Sequence, residues 1–558
     1  MEKVAVLTLL SLLQLSSVIQ CEVFTSQSDL ESLIYLRREV KSAIDEYIQK
    51  EESRLEYLKE RLKSSRGLSS GDESDATNPI NAFLLVKGLS LDLAEIVAVT
   101  GDRDSFKEFA RRMEELNEAT TFPDNEDISG AALGLIRLQD TYQLDTKSIA
   151  NGALGDSCCA PELSDFRLLP VDDCFELGRQ SYLSKDYDYA IQWFTEALFR
   201  YPSTEVEDSI ANVSMLLPHG EEVLISTDLE FESSSKVSKS KILDYLSWAK
   251  DIKKTLEIGK DFLAKLTGLE MDAFVDQVAR AVSGGDQEET KQKRVALKSN
   301  NLFFKDRDTL EARYKSLCRG ETKSNSSINP MLKCYFSSRG NNPYYLIGPI
   351  KEEILNLSPL IKIFRNIIHD EEIEKIKELA KPRLETAMVV NVFTGSNEKS
   401  QTRVSKTAWL VDEDDPIVSK INQRVGFVTG LSMETAELLQ IANYGIGGMY
   451  LPHYDYAQPG QTASFVTNTD GNRIATLLFY MSDVEKGGAT VFPKLNLSVW
   501  PEKGSAAFWY NLKKNGDGDS GTQHAACPVL LGTKFVSNKW IHERGQEFRR
   551  RCSLKPNE

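Results

Sequence analysis

The amino-acid sequence predicts a multidomain α+β protein, with all-α domains first and a β-rich domain last. The chain has 558 residues, several times the roughly 150 residues of an average domain. Apolar residues recur with helical spacing between about residues 28 and 282. From about Ile347 the pattern changes to short segments in which apolar and polar residues alternate, bounded by glycines, as is typical of a β-sandwich or barrel. The clearest strand candidates are ELLQIANYG, RIATLLFYMS, SAAFWYNL and TKFVSNKWIHE.

The composition is that of an acidic globular protein. Apolar residues make up 41% and charged residues 27% of the chain, and the formal net charge is −16. We expect no nucleic-acid partner, because a phosphate backbone requires a concentrated cationic surface. Imidazole chemistry can draw on only five histidines: His219, His369, His453, His524 and His542.

Residues 1–21 have the pattern of a secretory signal peptide. The apolar run from Val4 to Leu15 is shorter than the roughly 20 residues that a membrane span requires. A retained apolar helix is the alternative. No later run approaches a span, so we expect no membrane span and a location inside the secretory pathway. Four N-glycosylation sequons fit this location: Asn212, Asn325, Asn356 and Asn496.

Cysteine usage also fits an oxidising compartment. Seven cysteines follow the signal segment, and two local pairs are predicted to form disulfides. These pairs are Cys318 with Cys334 and Cys527 with Cys552. The remaining thiols form an odd set, so at least one is free or pairs outside the chain. They are Cys158, Cys159 and Cys174.

Residues 22–165 are predicted to form an all-α domain for dimerisation or another association. Apolar residues between Leu33 and Leu62 recur mostly at steps of three and four, which predicts a long amphipathic helix. The pattern is interrupted at Glu51 and Glu52. It is consistent both with a coiled coil and with a helix that packs on its own domain.

Residues 166–282 are predicted to be a peptide-binding domain related to tetratricopeptide repeats. The segment 172–202 has the helix–turn–helix spacing of one repeat, and a second helical pair is expected from Leu243 after an irregular insertion. Flat aromatic faces could hold a proline-rich peptide. The candidates are Tyr182, Tyr187, Tyr245 and Trp248. Trp193 is expected to fill the core instead, and residues 283–345 are expected to be a linker.

A histidine and a carboxylate, His453 and Asp455, are separated by one residue on predicted extended chain. Alternation along a strand places both on one face. A third ligand from a distant strand would complete two histidines and one carboxylate, the arrangement used for non-haem Fe(II). The residues alone leave three candidates for that ligand: His369, His524 and His542.

A lysine shares the predicted last strand with one of these candidates. If TKFVSNKWIHE is one unbroken strand, Lys534, Val536, Asn538, Trp540 and His542 share a face. A buried cation is costly unless it meets an anion. A dicarboxylate cosubstrate would supply one, by chelating the iron at one end and pairing its far carboxylate with Lys534.

These motifs resemble those of the collagen prolyl 4-hydroxylase α subunits, a family of 2-oxoglutarate- and Fe(II)-dependent dioxygenases of the endoplasmic reticulum. The resemblance runs from about residue 30 to the C-terminus. It is strongest in RVSKTAWL, IANYGIGGMYLPHYD, NRIATLLFYMSDVEKGGATVFP and HAACPVLLGTKFVSNKWIHERGQEFRR. It implies that residues 346–558 form a double-stranded β-helix, or jelly-roll, catalytic domain.

The resemblance also implies roles for single residues. The iron ligands would be His453, Asp455 and His524. The C5 carboxylate of 2-oxoglutarate would bind Lys534, with Tyr444 and Thr490 helping to seat the cosubstrate. The peptide channel would be lined by Tyr450, Arg473, Trp540 and His542.

The implied reaction is hydroxylation of C4 of proline in X-Pro-Gly sequences, with 2-oxoglutarate converted to succinate and CO2 and with ascorbate restoring oxidised iron. Protein disulfide isomerase would be the β subunit of an α2β2 tetramer. It would supply the retrieval signal that the C-terminal KPNE lacks. One alternative is a related oxygenase such as a lysyl hydroxylase, which typically has arginine in place of Lys534. Another is a non-catalytic peptide-binding assembly subunit.

Overall fold

A computed structural model describes residues 26–65, 87, 91–100, 104–119, 122, 125–153, 168–201, 212–216, 222–226, 237–265, 309–321, 331–340, 342–390, 397–399, 402–458 and 470–555. The chain divides into two compact units, one over Ser28–Asp124 and one that includes everything from Asn125 onwards. The predicted signal segment 1–21 lies outside the described residues, as do His219, Cys158 and Cys159. In the described part of the chain, no helix is both long and apolar enough to cross a membrane.

The first unit is helical. Its helices are α1 (Gln27–Ser64), α2 (Leu93–Thr100) and α3 (Asp104–Ala119). α1 confirms the predicted long amphipathic helix. The ring of Tyr47 stacks on that of Phe109 in α3, with centroids 5.3 Å apart. Arg112 of α3 pairs with carboxylates of α1, so α1 packs on its own domain. It also leaves apolar side chains exposed: Ile34, Ile44, Ile48, Leu55 and Leu62.

The second unit begins with a helical layer. Its helices are α4 (Asn125–Tyr142), α5 (Thr146–Ala150), α6 (Val171–Leu183), α7 (Tyr187–Phe199) and α8 (Lys239–Lys265). α6 and α7 form the predicted helix–turn–helix. They approach closely at Gly178, where a Cβ atom would be 2.6 Å from the ring of Phe194. Trp193 is 1% exposed, which confirms that it belongs to the core.

Two features of this layer differ from the sequence-based expectation. The helical pair expected from Leu243 is the single helix α8, because the segment has no proline and Gly259 alone does not end it. The insertion before α8 was expected to be irregular. It contains an antiparallel hairpin of β1 (Asn212–Leu216) and β2 (Glu222–Ser226).

The β-rich domain contains two large antiparallel sheets. The nine-stranded sheet has the spatial order β3 (Cys334–Ser337), β4 (Ile350–Leu357), β5 (Leu360–Arg365), β17 (Ala506–Tyr510), β13 (Arg473–Tyr480), β20 (Lys534–His542), β11 (Leu439–Tyr444), β10 (Lys406–Leu410) and β6 (Glu385–Thr386). The five-stranded sheet has the order β16 (Leu497–Val499), β15 (Thr490–Phe492), β18 (His524–Ala526), β12 (Met449–His453) and β9 (Arg403–Val404). Smaller pairs join β7 (Met388–Val390) to β8 (Asn397–Lys399) and β14 (Lys486–Gly487) to β19 (Val529–Leu531). The four predicted strands are β11, β13, β17 and β20.

The β-rich part of the chain has four further helices: α9 (309–318), α10 (Pro343–Ile347), α11 (Asp370–Ala380) and α12 (Pro416–Thr429). Short 3-10 helices occur at Lys381–Arg383, Pro493–Leu495 and Ser520–Thr522. Helices α11 and α12 cover the outer face of the larger sheet. In β13, Leu477 and Phe479 belong to the core that includes α11 and α12. Leu478 and Tyr480 point the other way and pack with Phe492 of the smaller sheet. β13 is apolar on both faces because both are covered.

The outer face of the smaller sheet is covered by α9, and this contact decides the disulfide. Cys318 of α9 bonds to Cys527, 209 residues away, and their Cα atoms are 5.5 Å apart. The predicted local pairs are therefore wrong, and Cys334 and Cys552 are free and exposed. The reason is that Cys318 and Cys527 share one buried cluster, whereas Cys334 lies on the edge strand β3. Cys174 is free and buried.

Candidate metal centre

Three potential metal ligands converge at the end of the smaller sheet. His453 ends β12 and pairs directly with His524, which begins β18. The chain bends after His453, so Asp455 lies beyond the strand and not within it as predicted. One ligand atom from each residue lies within 4.8 Å of the others. Among the described residues, no other group of three His, Cys, Asp or Glu residues has this geometry.

The structure distinguishes among the three candidates for the third ligand. His524 is in the cluster. His369 is the N-cap of α11, and its backbone N–H donates to the side chain of Glu372 at 3.1 Å. His542 bonds to Glu437 at the far end of β20, with 3.1 Å between Nε2 and Oε1. The sequence left this choice open because it depends on which strands are neighbours in space.

Backbone carbonyls orient both histidines. Nδ1 of His453 is 2.8 Å from the carbonyl oxygen of Leu451, and Nδ1 of His524 is 3.0 Å from that of Thr522. If Nδ1–H donates to these carbonyls, the lone pair of Nε2 is available to a metal. Burial lowers the pKa of His453 to about 3, so its imidazole is neutral.

A buried chain of hydrogen bonds holds the carboxylate. Thr476 donates to Oδ2 of Asp455 at 2.7 Å, Asn511 donates to Thr476 at 2.9 Å, and Trp509 donates to Asn511 at 2.8 Å. Burial alone would raise the pKa of Asp455. The neighbouring His524, His453 and Arg473, together with the Thr476 hydroxyl, lower it below its usual value, so the group is an anion.

A buried lysine lies at the other end of the same cavity. Lys534 begins β20 and is 1% exposed. Burial lowers its pKa to about 7, and in the described part of the chain no carboxylate pairs with it. Its Nζ is 3.4 Å from the hydroxyl oxygen of Thr490 and 5.6 Å from the ring centroid of Tyr444. Tyr480 donates to the same Thr490 oxygen at 2.9 Å, which leaves the Thr490 hydrogen able to bind an anion.

The cavity between the two sheets has about 420 Å³ of empty space, including the part that is open to solvent. β20 is unbroken, as predicted, and Lys534, Val536, Asn538 and Trp540 line the cavity together. The other lining residues predicted from the sequence are Tyr444, Tyr450, His453, Asp455, Thr490 and His524. Two predicted channel residues, Arg473 and His542, do not line it.

Arg473 and His542 meet at a carboxylate that the sequence did not reveal. Glu437 accepts from both Nε and Nη2 of Arg473 and lies beside Nε2 of His542. The Arg473 guanidinium lies over the Trp540 ring, 4.1 Å from its centroid. Burial would raise the pKa of Glu437, but Arg473 and His542 outweigh burial and lower it. This network therefore packs against the Trp540 ring through the guanidinium of Arg473.

Arg403 lines the cavity and was not predicted as a site residue, although it lies in the segment RVSKTAWL. Its Nη2 donates to Gln440 at 2.8 Å, and its guanidinium lies 5.0 Å from the ring centroid of Tyr450. The Tyr450 ring in turn stacks on His453, with centroids 3.5 Å apart. Tyr450 is thereby held against a candidate metal ligand.

Two regions of the chain match known protein families. Residues 26–156 match the family described as the prolyl 4-hydroxylase alpha-subunit N-terminal region, and residues 439–542 match the 2OG-Fe(II) oxygenase superfamily. The chain is 39% identical over 552 residues to prolyl 4-hydroxylase subunit alpha-1 of Mus musculus, with 95% of each chain covered. It is 37% identical to subunit alpha-2 of Caenorhabditis elegans, covering 97% of this chain and 95% of that one. The chain belongs to the prolyl 4-hydroxylase alpha-subunit family.

Membership in this family defines the cofactors. The 2OG-Fe(II) oxygenase match implies Fe(II) and 2-oxoglutarate, and ascorbate is the usual additional cofactor of prolyl hydroxylases. The donor set fits Fe(II), since two imidazoles and one carboxylate are available. Among solved structures, a viral collagen prolyl hydroxylase from Paramecium bursaria Chlorella virus-1 is similar over 33% of this chain and 95% of its own, with 23% identity and a TM-score of 0.27.

The candidate groove residues of this alpha subunit form one aromatic cluster. Tyr182 of α6 lies edge-on to Tyr187 of α7 and to Tyr245 of α8, with ring centroids 5.6 Å and 5.8 Å apart. Trp248 lies beside Tyr245 and is 50% exposed. The three helices thus bring together the side chains that the sequence singled out.

Proposed function

We propose that this alpha subunit hydroxylates C4 of proline in X-Pro-Gly sequences of collagen-like polypeptides, using Fe(II), 2-oxoglutarate, O2 and ascorbate and releasing succinate and CO2. One observation carries the proposal. The cavity has two histidines and a carboxylate at one end and, at the other, a buried lysine that no carboxylate of the described chain pairs with. A dicarboxylate that binds a metal through one carboxylate group would supply Lys534 with its missing anion through the other.

His453, Asp455 and His524 would hold Fe(II), and the bound iron and 2-oxoglutarate would supply the oxidising chemistry. The chain supplies orientation. Carbonyls of Leu451 and Thr522 fix the two imidazoles, and Thr476 fixes the carboxylate.

Lys534 would bind the C5 carboxylate of 2-oxoglutarate. Its ammonium is expensive to bury alone, so an arriving carboxylate relieves that cost and favours the charged form. Thr490 would donate its hydroxyl hydrogen to the same carboxylate, and Tyr444 would pack beside that carboxylate. The hydroxyl oxygen of Thr490 accepts from both Tyr480 and Lys534, which leaves its hydrogen for the carboxylate.

The low pKa of Lys534 gives a pH prediction. A pKa of about 7 means that the amine is charged below pH 7 and becomes neutral above it. We expect the KM for 2-oxoglutarate to be flat below pH 7 and to rise ~10-fold per pH unit above it, because the neutral amine does not bind. Arginine stays charged, so the rise will disappear in Lys534→Arg. Steady-state assays across this range test the prediction, and an equal rise in both proteins contradicts it.

The substrate peptide would enter beside Tyr450 and Trp540, with Arg473 and His542 acting through Glu437. In the helical layer, Tyr182, Tyr187 and Tyr245 would hold a proline-rich chain, as a groove related to tetratricopeptide repeats. We assign residues 166–282 to that domain, 22–165 to a dimerisation domain whose α4 also packs against α6, α7 and α8, and 283–345 to a linker whose α9 and β3 pack on the β-rich domain. Residues 346–558 are assigned to a catalytic domain of the double-stranded β-helix, or jelly-roll, class. The two facing antiparallel sheets support the last assignment.

The proposed assembly is an α2β2 tetramer in the lumen of the endoplasmic reticulum, with protein disulfide isomerase as the β subunit and residues 1–21 as the signal peptide. Membership in a family of alpha subunits and the exposed apolar side chains of α1 support it. Sedimentation of the co-expressed chains tests it. A tetramer mass agrees with the proposal, and an alpha chain that is soluble and active alone contradicts it.

The reaction is tested by measuring succinate release with a (Pro-Pro-Gly) repeat peptide and locating the added oxygen by mass spectrometry. We expect peptide-dependent succinate and oxygen on proline that precedes glycine. Oxygen on lysine would support a lysyl hydroxylase instead. Succinate release without peptide, or none at all, would contradict the prolyl assignment.

A further inference from the structure

Helix α4 belongs to the core of the helical layer. Ala132 and Ile136 of α4 are buried in the same cluster as Phe194 of α7. Gln139 accepts a hydrogen bond from Nε1 of Trp193 at 2.7 Å. α4 is therefore packed against the same helices that carry the aromatic cluster of the proposed groove.

The other side of α4 contacts the β-rich domain at two turns. Arg137 donates to the carbonyl of Gly447 at 2.8 Å, and the Tyr142 hydroxyl donates to the carbonyl of Pro528. At Gly447, which has a φ of +72°, a Cβ atom would be 3.2 Å from the carbonyl oxygen of Gly134. Two backbones thus meet with no side chain between them. Glycine inside a helix is unfavourable, and this close approach of two backbones explains why glycine occupies position 134.

Both turns adjoin strands that carry residues of the candidate metal site. Gly447 lies between β11, which ends at Tyr444, and β12, which holds Tyr450 and His453. Pro528 follows β18, which begins at His524. α4 therefore contacts the segments that join the cosubstrate tyrosine and the two metal-binding histidines to the rest of the domain.

Helix α9 also contacts the junction between α4 and the β-rich domain. Lys315 forms an ion pair with Asp140 at 2.9 Å, and Arg319, just past α9, donates to the carbonyl of Thr141 at 2.9 Å. The Cys318–Cys527 disulfide attaches α9 to the turn that contains Pro528. The end of α4 is thus held from both sides.

We infer that α4 is a positioning element, which fixes the aromatic groove relative to the metal so that one long proline-rich chain occupies both at once. The inference rests on the proposed function and deepens it, because it makes substrate length part of the recognition. When two sites are held in a fixed arrangement, the second contact of a long ligand becomes intramolecular. Loosening the junction should therefore weaken long peptides and spare short ones.

The test is Gly134→Leu in the full-length protein, with Ile128→Ala as a control on the exposed start of the same helix. We expect the KM for (Pro-Pro-Gly)10 to rise ~10-fold in Gly134→Leu. The KM values for a single Pro-Pro-Gly unit and for 2-oxoglutarate should stay within about twofold of wild type. Arg137→Met is the second variant if Gly134→Leu does not fold, and Arg137→Lys should restore long-peptide binding.

Three outcomes overturn the inference. An unchanged KM for the long peptide in a folded junction variant contradicts it directly. An equal rise for long and short peptides means that the junction supports only the metal site. The third involves Tyr182→Ala, which changes the groove alone. If it leaves the long-peptide KM unchanged, the groove assignment fails and the inference fails with it. If it raises that KM while the junction variants do not, only the inference fails.

Discussion

Replacing Lys534 with methionine will raise the Kd for 2-oxoglutarate by ~100-fold or more while leaving Fe(II) affinity close to wild type. Truncating one partner of a buried, hydrogen-bonded charge pair costs about 2–5 kcal/mol in binding. Lys534 is buried, lacks a carboxylate partner in the described chain and is separate from the metal ligands. Methionine has a similar volume and no charge to bury, so the free energy of unfolding should not fall.

The matched control for this change is Lys539→Met on the same strand. Lys539 is also buried, and its pKa is lowered by burial to about 8, but it is not among the residues that line the cavity. We expect it to leave the affinity for 2-oxoglutarate unchanged. Calorimetric titration without O2 measures both cosubstrate and metal. An equal loss of Fe(II) and 2-oxoglutarate affinity in Lys534→Met would contradict the assigned role.

Replacing His524 with alanine will abolish detectable turnover and weaken Fe(II) binding by more than 100-fold. Changes to the residues that merely orient metal ligands typically cost about 10- to 100-fold in metal affinity or activity, so loss of a ligand should exceed that range. His524 contributes one of only two imidazoles in the cluster, directly opposite His453.

The control for this variant is His542→Ala. His542 is equally buried but bonds to Glu437 and the carbonyl of Gly471, outside the metal cluster. We expect the Fe(II) affinity of His542→Ala to match wild type, with its effect confined to the KM for peptide. Metal titration followed by succinate assays separates the two variants. If His542→Ala lost iron and His524→Ala kept it, the ligand assignment would be wrong.

Local spacing was enough to predict much of the site. The parity of β20 predicted that Lys534 and the lining residues after it share one face, because alternation within a single strand requires no knowledge of neighbouring strands. The step from His453 to Asp455 pointed to two candidate ligands, although a bend after His453, and not alternation along a strand, brings Asp455 into the cluster. The helix–turn–helix of α6 and α7 was predictable for a similar reason, since its spacing is local.

Contacts between distant segments were not predictable in this way. The pairing of Cys318 with Cys527 follows from α9 lying on the smaller sheet, and no sequence period marks that contact. The same applies to Glu437, which meets Arg473 and His542 only because a loop passes the end of β20. The contact of Gly134 with Gly447 joins residues of two domains, so it too depends on the assembled fold.

The central claim is that one cavity holds Fe(II) through His453, Asp455 and His524 and 2-oxoglutarate through Lys534. The most direct test is the visible charge-transfer band of the Fe(II)-loaded protein on addition of 2-oxoglutarate without O2. We predict a band in wild type, its absence in His524→Ala, and its appearance in Lys534→Met only at much higher 2-oxoglutarate concentrations. A band of unchanged intensity and midpoint in both variants would contradict the claim.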